Sequence, residues 1–355
     1  MARALRLAER GLNTTMPNPR VGCVLVRAGA VVGEGWHERA GEAHAEIAAL
    51  RAAGEAARGA VAYVTLEPCC HHGRTPPCAD ALIDAGVARV VAAMKDPNPL
   101  VSGAGLAKLQ AAGIVAEAGV LEEKARELNI GFVSRMQRGR PWVRLKIATT
   151  LDGKTALSNG ASQWITGPEA RADGHAWRAR ACAILTGIGT VRADDPRLTV
   201  RDVTASRQPL RIVVDSRMTI GPQANVLAGG GALVVAAHQD TAKAATLRAA
   251  GSETLVIPGA DGQVDLAALM AELGTRAINE IHVEAGPILN GALLRERLAD
   301  EILLYFAPSL LGDRARGMFD LPELNSLGER HALDLRDVRR IGADLRILAR
   351  MLDSR

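Results

Sequence analysis

Short apolar, β-branched runs alternate with helix-length stretches along almost the whole chain, and that alternation leaves few folds open. Residues 21–26, 31–35, 61–66 and 90–93 read as strands, while residues 1–11, 44–53, 78–85 and 103–112 read as helices beside or between them. Strands interleaved with helices of this length predict an α/β layered sheet. Residues 121–138 read as one charged helix that closes the segment, and Gly139-Arg140-Pro141 breaks it. Strand patterns resume at 142–149 and recur at 183–186, 210–214, 232–236, 254–257, 281–284 and 301–307, with 266–273 and 287–297 as the clearest helices. Two α/β domains are expected, 1–140 and 141–355, because 355 residues exceed what one hydrophobic core usually serves.

Composition narrows the function. A hydrophobic fraction of 48% with 23% charged residues is that of a globular enzyme, and only 3% aromatics means a core built from Ala, Val, Leu and Ile. A net charge of +4 suits an anionic ligand such as a phosphate but falls short of the basic face of a nucleic-acid binder, so no nucleic-acid partner is expected. The basic cluster Arg135, Arg138, Arg140, Arg144 and Lys146 reads as a solvated connector. No run of eighteen apolar residues occurs and the amino terminus lacks a signal-peptide core, so neither a membrane partner nor export is expected. Five cysteines, three of them between positions 69 and 78, fit a metal site in a reducing compartment, and the cytoplasm is the expected location.

The densest chemistry lies in His44-Ala45-Glu46, Pro68-Cys69 and Pro77-Cys78. A catalytic zinc takes three protein ligands and leaves one position for water, whose pKa falls to about 7. The order H-x-E…P-C…C is that of zinc deaminases, in which the glutamate is no ligand but ferries a proton to the departing amine. His44, Cys69 and Cys78 are the candidate ligands and Glu46 the candidate shuttle. His44 and Glu46 are expected on the first turn of one helix. Thr75 is expected to cap the helix beginning near Cys78 and a proline to occupy its opening turn, so that both helices start at the same edge of the sheet. The two cysteines stand nine apart rather than three, and the inserted residues 70–77 would bring His71 and Arg74 down onto a substrate anion. Cys70, His71 and His72 are also capable donors. A closed structural site with four ligands is therefore the rival reading, against which Glu46 counts, since such a site has no use for it.

The motifs Thr15-Met16-Pro17-Asn18-Pro19-Arg20-Val21-Gly22, Gly41-Glu42-Ala43-His44-Ala45-Glu46, Thr65-Leu66-Glu67-Pro68-Cys69, His71-His72-Gly73-Arg74-Thr75-Pro76-Pro77-Cys78 and Asp96-Pro97-Asn98-Pro99 resemble the deaminase half of the bifunctional riboflavin-biosynthesis deaminase-reductase family. The residues 146–154 (KIATTLDGK), Ser162-Gln163-Trp164-Ile165-Thr166, Val191-Arg192-Ala193-Asp194-Asp195-Pro196, Leu198-Thr199-Val200-Arg201 and Val283-Glu284-Ala285-Gly286-Pro287 resemble its reductase half. The resemblance implies a cytidine-deaminase-like three-layer α/β/α domain followed by a dihydrofolate-reductase-like α/β domain. It implies hydrolytic, Zn2+-dependent deamination of 2,5-diamino-6-(5-phosphoribosylamino)pyrimidin-4-one. NADPH-dependent reduction of the ribosyl group of 5-amino-6-(5-phosphoribosylamino)uracil to ribityl follows. It places zinc on His44, Cys69 and Cys78, with Asn18, His37, His71, Arg74, Asp96 and Asn98 around the first substrate. In the second half it places Ser162, Arg178, Leu198, Arg201 and Glu284 on the substrate, and Ala148, Trp164, Thr190, Asp194 and Ser216 on NADPH, with Lys146 and Asp194 as polar groups near the hydride.

Two further readings come from the residues. The turn Gly286-Pro287-Ile288-Leu289-Asn290-Gly291 opens a helix and would offer backbone N–H groups to a pyrophosphate. In Asp215-Ser216-Arg217 a hydroxyl beside a guanidinium suits a ribose 2′-phosphate. The expected partner is a small phosphorylated pyrimidine, bound by a homo-oligomer of two or four copies. The rivals are a nucleobase or tRNA deaminase with an unrelated carboxyl-terminal domain, and a zinc-stabilised module that binds a metabolite without turning it over.

Overall fold

The structure, a computed structural model, describes residues 1–70, 77–99 and 101–352. It divides into two compact α/β units, Met1–Gly139 and Arg140–Arg355.

In the first unit the elements run α1 (Ala2–Glu9), β1 (Gly22–Arg27), β2 (Ala30–Trp36), α2 (Ala45–Ala53), β3 (Val61–Val64), α3 (Cys78–Asp84), β4 (Arg89–Ala92), α4 (Ala104–Ala111), β5 (Val115–Ala118), α5 (Glu122–Leu128) and α6 (Ile130–Arg138). The five strands form one sheet in the order β2-β1-β3-β4-β5. β1 is antiparallel to both β2 and β3, while β3, β4 and β5 are parallel. Period-2 alternation covers both faces: Cys23 and Leu25 enter the main core with Ala45, Ala49 and Leu82, whereas Val24 packs with Ala4 and Leu7 of α1. Small residues let the layers approach closely. A Cβ on Gly35 of β2 would stand 2.5 Å from the Ala48 Cβ of α2, a separation only glycine allows. The helix expected over 121–138 is interrupted at Asn129, whose buried amide accepts from Arg20 N at 2.7 Å and donates to Arg20 O at 2.9 Å, ending one helix and starting the next.

The second unit runs β6 (Trp142–Thr150), β7 (Lys154–Ala156), α7 (Pro168–Arg180), β8 (Ala183–Gly187), α8 (Ile188–Asp194), β9 (Leu210–Val214), β10 (Ala232–Ala236), α9 (Thr241–Ala249), β11 (Ser252–Val256), α10 (Leu266–Thr275), β12 (Glu280–Val283), α11 (Pro287–Arg295), β13 (Glu301–Ala307), β14 (Arg316–Gly317), β15 (Leu333–Ile341) and β16 (Asp344–Met351). A nine-stranded sheet has the order β11-β10-β9-β8-β12-β6-β13-β16-β15, and β7 pairs with β14 apart from it. From β11 to β13 the strands are parallel, and β16 and β15 are added antiparallel. Parallel strands buried on both faces read as nearly continuous apolar runs, as in β10, where every residue is buried. The chain leaves β8 to build β9, β10 and β11 on one side and returns to lay β12 between β8 and β6. In open sheets of this kind ligands bind at the carboxyl ends of the strands near such a reversal.

The solvated connector expected across 135–146 is corrected beyond residue 138. Arg144 is 1% exposed, donates to Glu301 at 2.5 Å, lies 3.4 Å from Glu280 and has its guanidinium 4.4 Å from the Trp177 ring centroid. Arg140 pairs with Asp300 at 2.8 Å. Arg144 sits in the second unit's core, and Arg140 is held against it, because their carboxylate partners are buried there.

Candidate active sites

In the first unit α2 and α3 begin at the same edge of the sheet. His44 stands at the N-cap of α2, Glu46 in its first turn, and Cys78 is the first residue of α3. Thr75, expected to cap α3, lies outside the described residues, and Pro77 occupies the N-cap position rather than the opening turn. His44 Nδ1 is 3.2 Å from Cys78 Sγ and 3.7 Å from Cys69 Sγ, and the three donor atoms all lie within 4.8 Å of one another. Tetrahedral zinc with the usual bond lengths needs nitrogen–sulfur edges of about 3.5 Å and sulfur–sulfur edges of about 3.8 Å. One imidazole and two thiolates are also the soft donor set that selects zinc. The residues fit the ion, and Cys70 is not part of the group.

Electrostatics prepare one of the two sulfur donors. The Cys78 thiol holds Cys69 as a thiolate, with the His44 ring and the Cys78 N–H adding to the effect, so its pKa falls to about 4 despite burial. The Cys78 thiol itself is pushed up by that same hydrogen bond and by burial. Glu46 is 3% exposed, and burial together with the nearby Cys69 charge raises its carboxyl to about 7. A carboxyl balanced near neutrality both takes and returns a proton.

Asn18 and His37 stand beside the ligands. The rings of His37 and His44 meet edge to face at 5.3 Å. His37 Nδ1 lies 3.0 Å from Ala43 O, which can only accept, so Nδ1 carries the hydrogen and Nε2 accepts from the Asn18 amide at 3.1 Å. Burial lowers the His37 pKa, in keeping with a neutral ring. Asp96 and Asn98 lie in a turn where Asn98 N donates to Asp96 Oδ1 at 2.8 Å. His71 and Arg74 fall outside the described residues.

In the second unit the carboxyl ends of β6, β8, β9 and β12 open into a cleft of about 1710 Å³. Lys146, Ala148, Ser162, Trp164, Arg178, Thr190, Asp194, Leu198, Arg201, Ser216, Glu284 and Gly286-Pro287-Ile288-Leu289 all line it. Asn290 and Gly291 do not. Asn290 is 2% exposed and donates to Ala285 O at 3.1 Å, and a Cβ on Gly291 would lie 2.0 Å from Asp320 O. The pyrophosphate turn is therefore narrower than the sequence suggests, because the inner face of α11 is spent on packing. At its cleft end the first N–H groups of this nine-residue helix lack intrahelical acceptors and are the donors a dinucleotide phosphate needs, and Gly187 at the end of β8 and Gly189 of α8 line the same cleft. Ser216 accepts from Val264 N at 3.2 Å, with Arg217 beside it in the cleft wall. These features fit NADPH.

On the cleft floor Arg178 grips Glu284 in a bidentate pair, Nη2 to Oε2 at 2.8 Å with Nε on the other oxygen, and donates to Thr199 O at 3.0 Å. Burial alone would raise the Glu284 carboxyl, but Arg178 holds it well below the usual carboxylate range. Lys146 lies 5.8 Å from the Tyr305 ring centroid, and burial lowers its pKa against the pull of Glu284. Gly174 of α7 packs beside it, the position a Cβ would take there lying in ordinary contact distance, 3.9 Å, from Lys146 Cε. Asp194 is exposed at the rim and accepts from Ser162 at 3.3 Å. Arg171, stacked 4.7 Å from the exposed Trp164 ring centroid, and His175, whose Nδ1 accepts from Arg201 N at 3.3 Å, also line the cleft. Neither carries a motif by which sequence reading could have found it.

A soft-donor metal site with a buried proton carrier in one α/β unit, and a nucleotide-sized cleft at the strand ends of the other, define a two-unit hydrolase and oxidoreductase. The family model for the cytidine and deoxycytidylate deaminase zinc-binding region matches residues 1–94, and that for the RibD C-terminal domain matches residues 141–347. The chain is 51% identical to the riboflavin biosynthesis protein RibD of Escherichia coli (strain K12), over 97% of this chain and 96% of that one. It is 45% identical to RibD of Haemophilus influenzae, over 98% and 95%. Among solved structures, Acinetobacter baumannii RibD superposes with a TM-score of 0.92 at 43% identity, covering 99% of this chain and 98% of that one. The Thermotoga maritima diaminohydroxyphosphoribosylaminopyrimidine deaminase/5-amino-6-(5-phosphoribosylamino)uracil reductase superposes with 0.87 at 32% identity, covering 99% and 97%. The chain belongs to the RibD family: it is a bifunctional deaminase and reductase of riboflavin biosynthesis, with zinc and NADPH as cofactors. The carboxyl-terminal half is thus no unrelated tail. Among the described residues no helix is long and apolar enough to cross a membrane.

Proposed function

We propose that residues 1–140 deaminate 2,5-diamino-6-(5-phosphoribosylamino)pyrimidin-4-one and that residues 141–355 reduce the resulting 5-amino-6-(5-phosphoribosylamino)uracil to its ribityl form. The observation that carries the first step is a three-donor group, His44, Cys69 and Cys78, beside a buried carboxyl balanced near neutral pH. Zinc, when bound, acidifies water and so makes a nucleophile available near pH 7. Glu46 takes a proton from the attacking water and returns it to the exocyclic nitrogen, which leaves as ammonia while the ring carbon gains oxygen. Asn18, its amide nitrogen committed to His37, offers its carbonyl oxygen to a donor group of the pyrimidine. Asp96, Asn98, His71 and Arg74 hold the remaining base and sugar-phosphate groups.

For the second step the ribosyl ring opens to an imine-like form, and NADPH, when bound, supplies the hydride to the carbon attached to nitrogen. Lys146 and Asp194 hold and hand on the accompanying proton. The fixed charges of Arg178 and Glu284 orient the open sugar, and Ser162, Leu198 and Arg201 close the substrate end of the cleft. Ala148, Trp164, Thr190, Ser216 and the 286–289 turn hold the cofactor. The protein is further proposed to work in the cytoplasm as a dimer or tetramer, without nucleic-acid or membrane partners.

The test follows ammonia release and NADPH absorbance together for wild type, Glu46→Ala and Asp194→Ala. Glu46→Ala is expected to lose ammonia release yet still reduce pre-deaminated intermediate, and Asp194→Ala to do the reverse. Loss of both activities in both folded variants would refute two independent sites.

A further inference from the structure

Glu67 is a carboxylate buried to 3% exposure in the first unit, one residue before Pro68 and two before the ligand Cys69. Four backbone N–H groups converge on it. Oε1 accepts from Gly105 N at 2.8 Å and Leu106 N at 3.2 Å, and Oε2 accepts from Gly103 N at 2.9 Å and Asp96 N at 3.0 Å. Three of these donors are the otherwise unpaired N–H groups at the start of α4, an end of the helix that favours negative charge. The fourth belongs to Asp96. The Glu67 backbone is itself fixed, its N–H donating to Met94 O at 3.0 Å. Gly105 permits the approach, since a Cβ there would stand 2.0 Å from Pro68 O. Just beyond, Cys69 O accepts from Ala79 N at 3.1 Å, tying the same strand end to α3 and its ligand Cys78.

We infer that Glu67 is a positioning residue of the deamination site: its carboxylate registers the 96–98 turn and the start of α4 against the strand end that carries Cys69. The inference rests on the proposal that Asp96 and Asn98 contact the first substrate. Glu67 is not one of the three candidate metal donors, and both its oxygens are taken up by main-chain N–H groups. It converts the fixed position of the metal ligands into a fixed position of the substrate-holding turn, through bonds to main-chain atoms that the identity of the turn residues does not reveal.

The full-length, zinc-loaded protein tests this with Glu67→Gln, which keeps the shape but replaces one acceptor oxygen with a donor that faces N–H groups. Losing two charge-assisted bonds should raise the KM for deamination about tenfold, with kcat changed less than about twofold. Zinc content and the reduction of pre-deaminated substrate should stay at wild-type levels. In an Asp96→Ala background the same replacement should add less than about twofold, because both changes act through one turn. An unchanged KM, a loss of zinc, or full additivity with Asp96→Ala would each overturn the inference. If Glu67→Gln fails to fold, Glu67→Asp, which keeps the charge and shortens the reach, is held to the same outcomes. The underlying reading is tested separately. If Asp96→Ala and Asn98→Ala leave KM unmoved, that reading falls and takes the inference with it; if they raise KM and Glu67→Gln does not, the inference alone falls.

Discussion

Replacing His282 should make the protein less sensitive to acid. This residue of β12 is 0% exposed, and among the described residues neither ring nitrogen has a hydrogen-bond partner. The nearest acceptor, Glu284 Oε1, lies 3.5 Å from Nε2, too far for a good bond, and both Glu284 oxygens are engaged by Arg178. Burial depresses the imidazole to about 3 against the opposite pull of Glu284, with the charges of Arg144, Arg178 and Lys146 adding to the depression. In the unfolded chain the ring takes up a proton near pH 6.5. The folded value is the depressed one, so the stability held by the neutral ring is present above the unfolded value and is lost as pH falls from about 6.5 toward 3. Between pH 7 and pH 5 the unfolded state gains nearly one proton and the folded state almost none, which lowers stability by about 2 kcal/mol. His282→Leu removes this contribution and also two unsatisfied nitrogens, whose burial costs about 1–3 kcal/mol. The variant should match or exceed wild type at pH 7 and lose about 2 kcal/mol less on moving to pH 5. Urea unfolding followed by tryptophan fluorescence suits the measurement, because Trp142, Trp164 and Trp177 all report on the unit containing His282. Equal losses in the two proteins over that pH interval would refute the argument.

The metal ligands separate from their neighbour: Cys69→Ser should lose zinc and ammonia release but still reduce pre-deaminated substrate, while Cys70→Ser should keep its zinc, as metal analysis of the purified proteins would reveal. Gly35→Ala would set a methyl group 2.5 Å from Ala48 Cβ, so α2 must shift. Overpacking of this kind costs about 1–3 kcal/mol, and urea unfolding together with zinc titration should find both stability and metal affinity reduced. Lys146→Met should lower reductase turnover by about 10²–10⁴-fold with deamination unchanged, the range expected for removing a positioned proton carrier. Steady-state NADPH oxidation on pre-deaminated substrate would decide it.

Features dictated by local chemistry were legible in the sequence; features dictated by distant partners were not. A zinc site restricts residue types so strongly that His44, Glu46, Cys69 and Cys78 stand out without a fold to place them. Asn129 looks like one more polar residue in a charged helix, and only its bonds to Arg20, 109 positions away, show why the helix stops there. Arg144 reads as solvated until Glu280 and Glu301, 136 and 157 positions on, are buried against it. The helix α7 does not stand out in the sequence, because PEARADGHAWRAR has little apolar periodicity and a central glycine, yet it carries Arg178 to Glu284 in the cleft. Likewise β15 is an edge strand whose residues are mostly exposed, so its sequence carries more charge than core signal.

Pairing, rather than burial alone, separates the groups that move protons from those that hold charge. Burial drives any isolated group toward its neutral form, raising Glu46 and lowering Lys146 and His37. Glu284, though largely enclosed at the cleft, has a bidentate guanidinium that reverses the effect and keeps it ionised. Glu46, balanced near pH 7, can therefore change protonation at little cost, whereas the Arg178–Glu284 pair would forfeit its hydrogen bonds by doing so. That difference is what the proposed division of labour rests on, with Glu46 moving a proton and Arg178 and Glu284 orienting the substrate. It also explains why a second buried and unpaired base, His282, takes no part: with 0% of its surface exposed, its ring has no path to a substrate, and its burial appears only as a cost in stability when the pH falls.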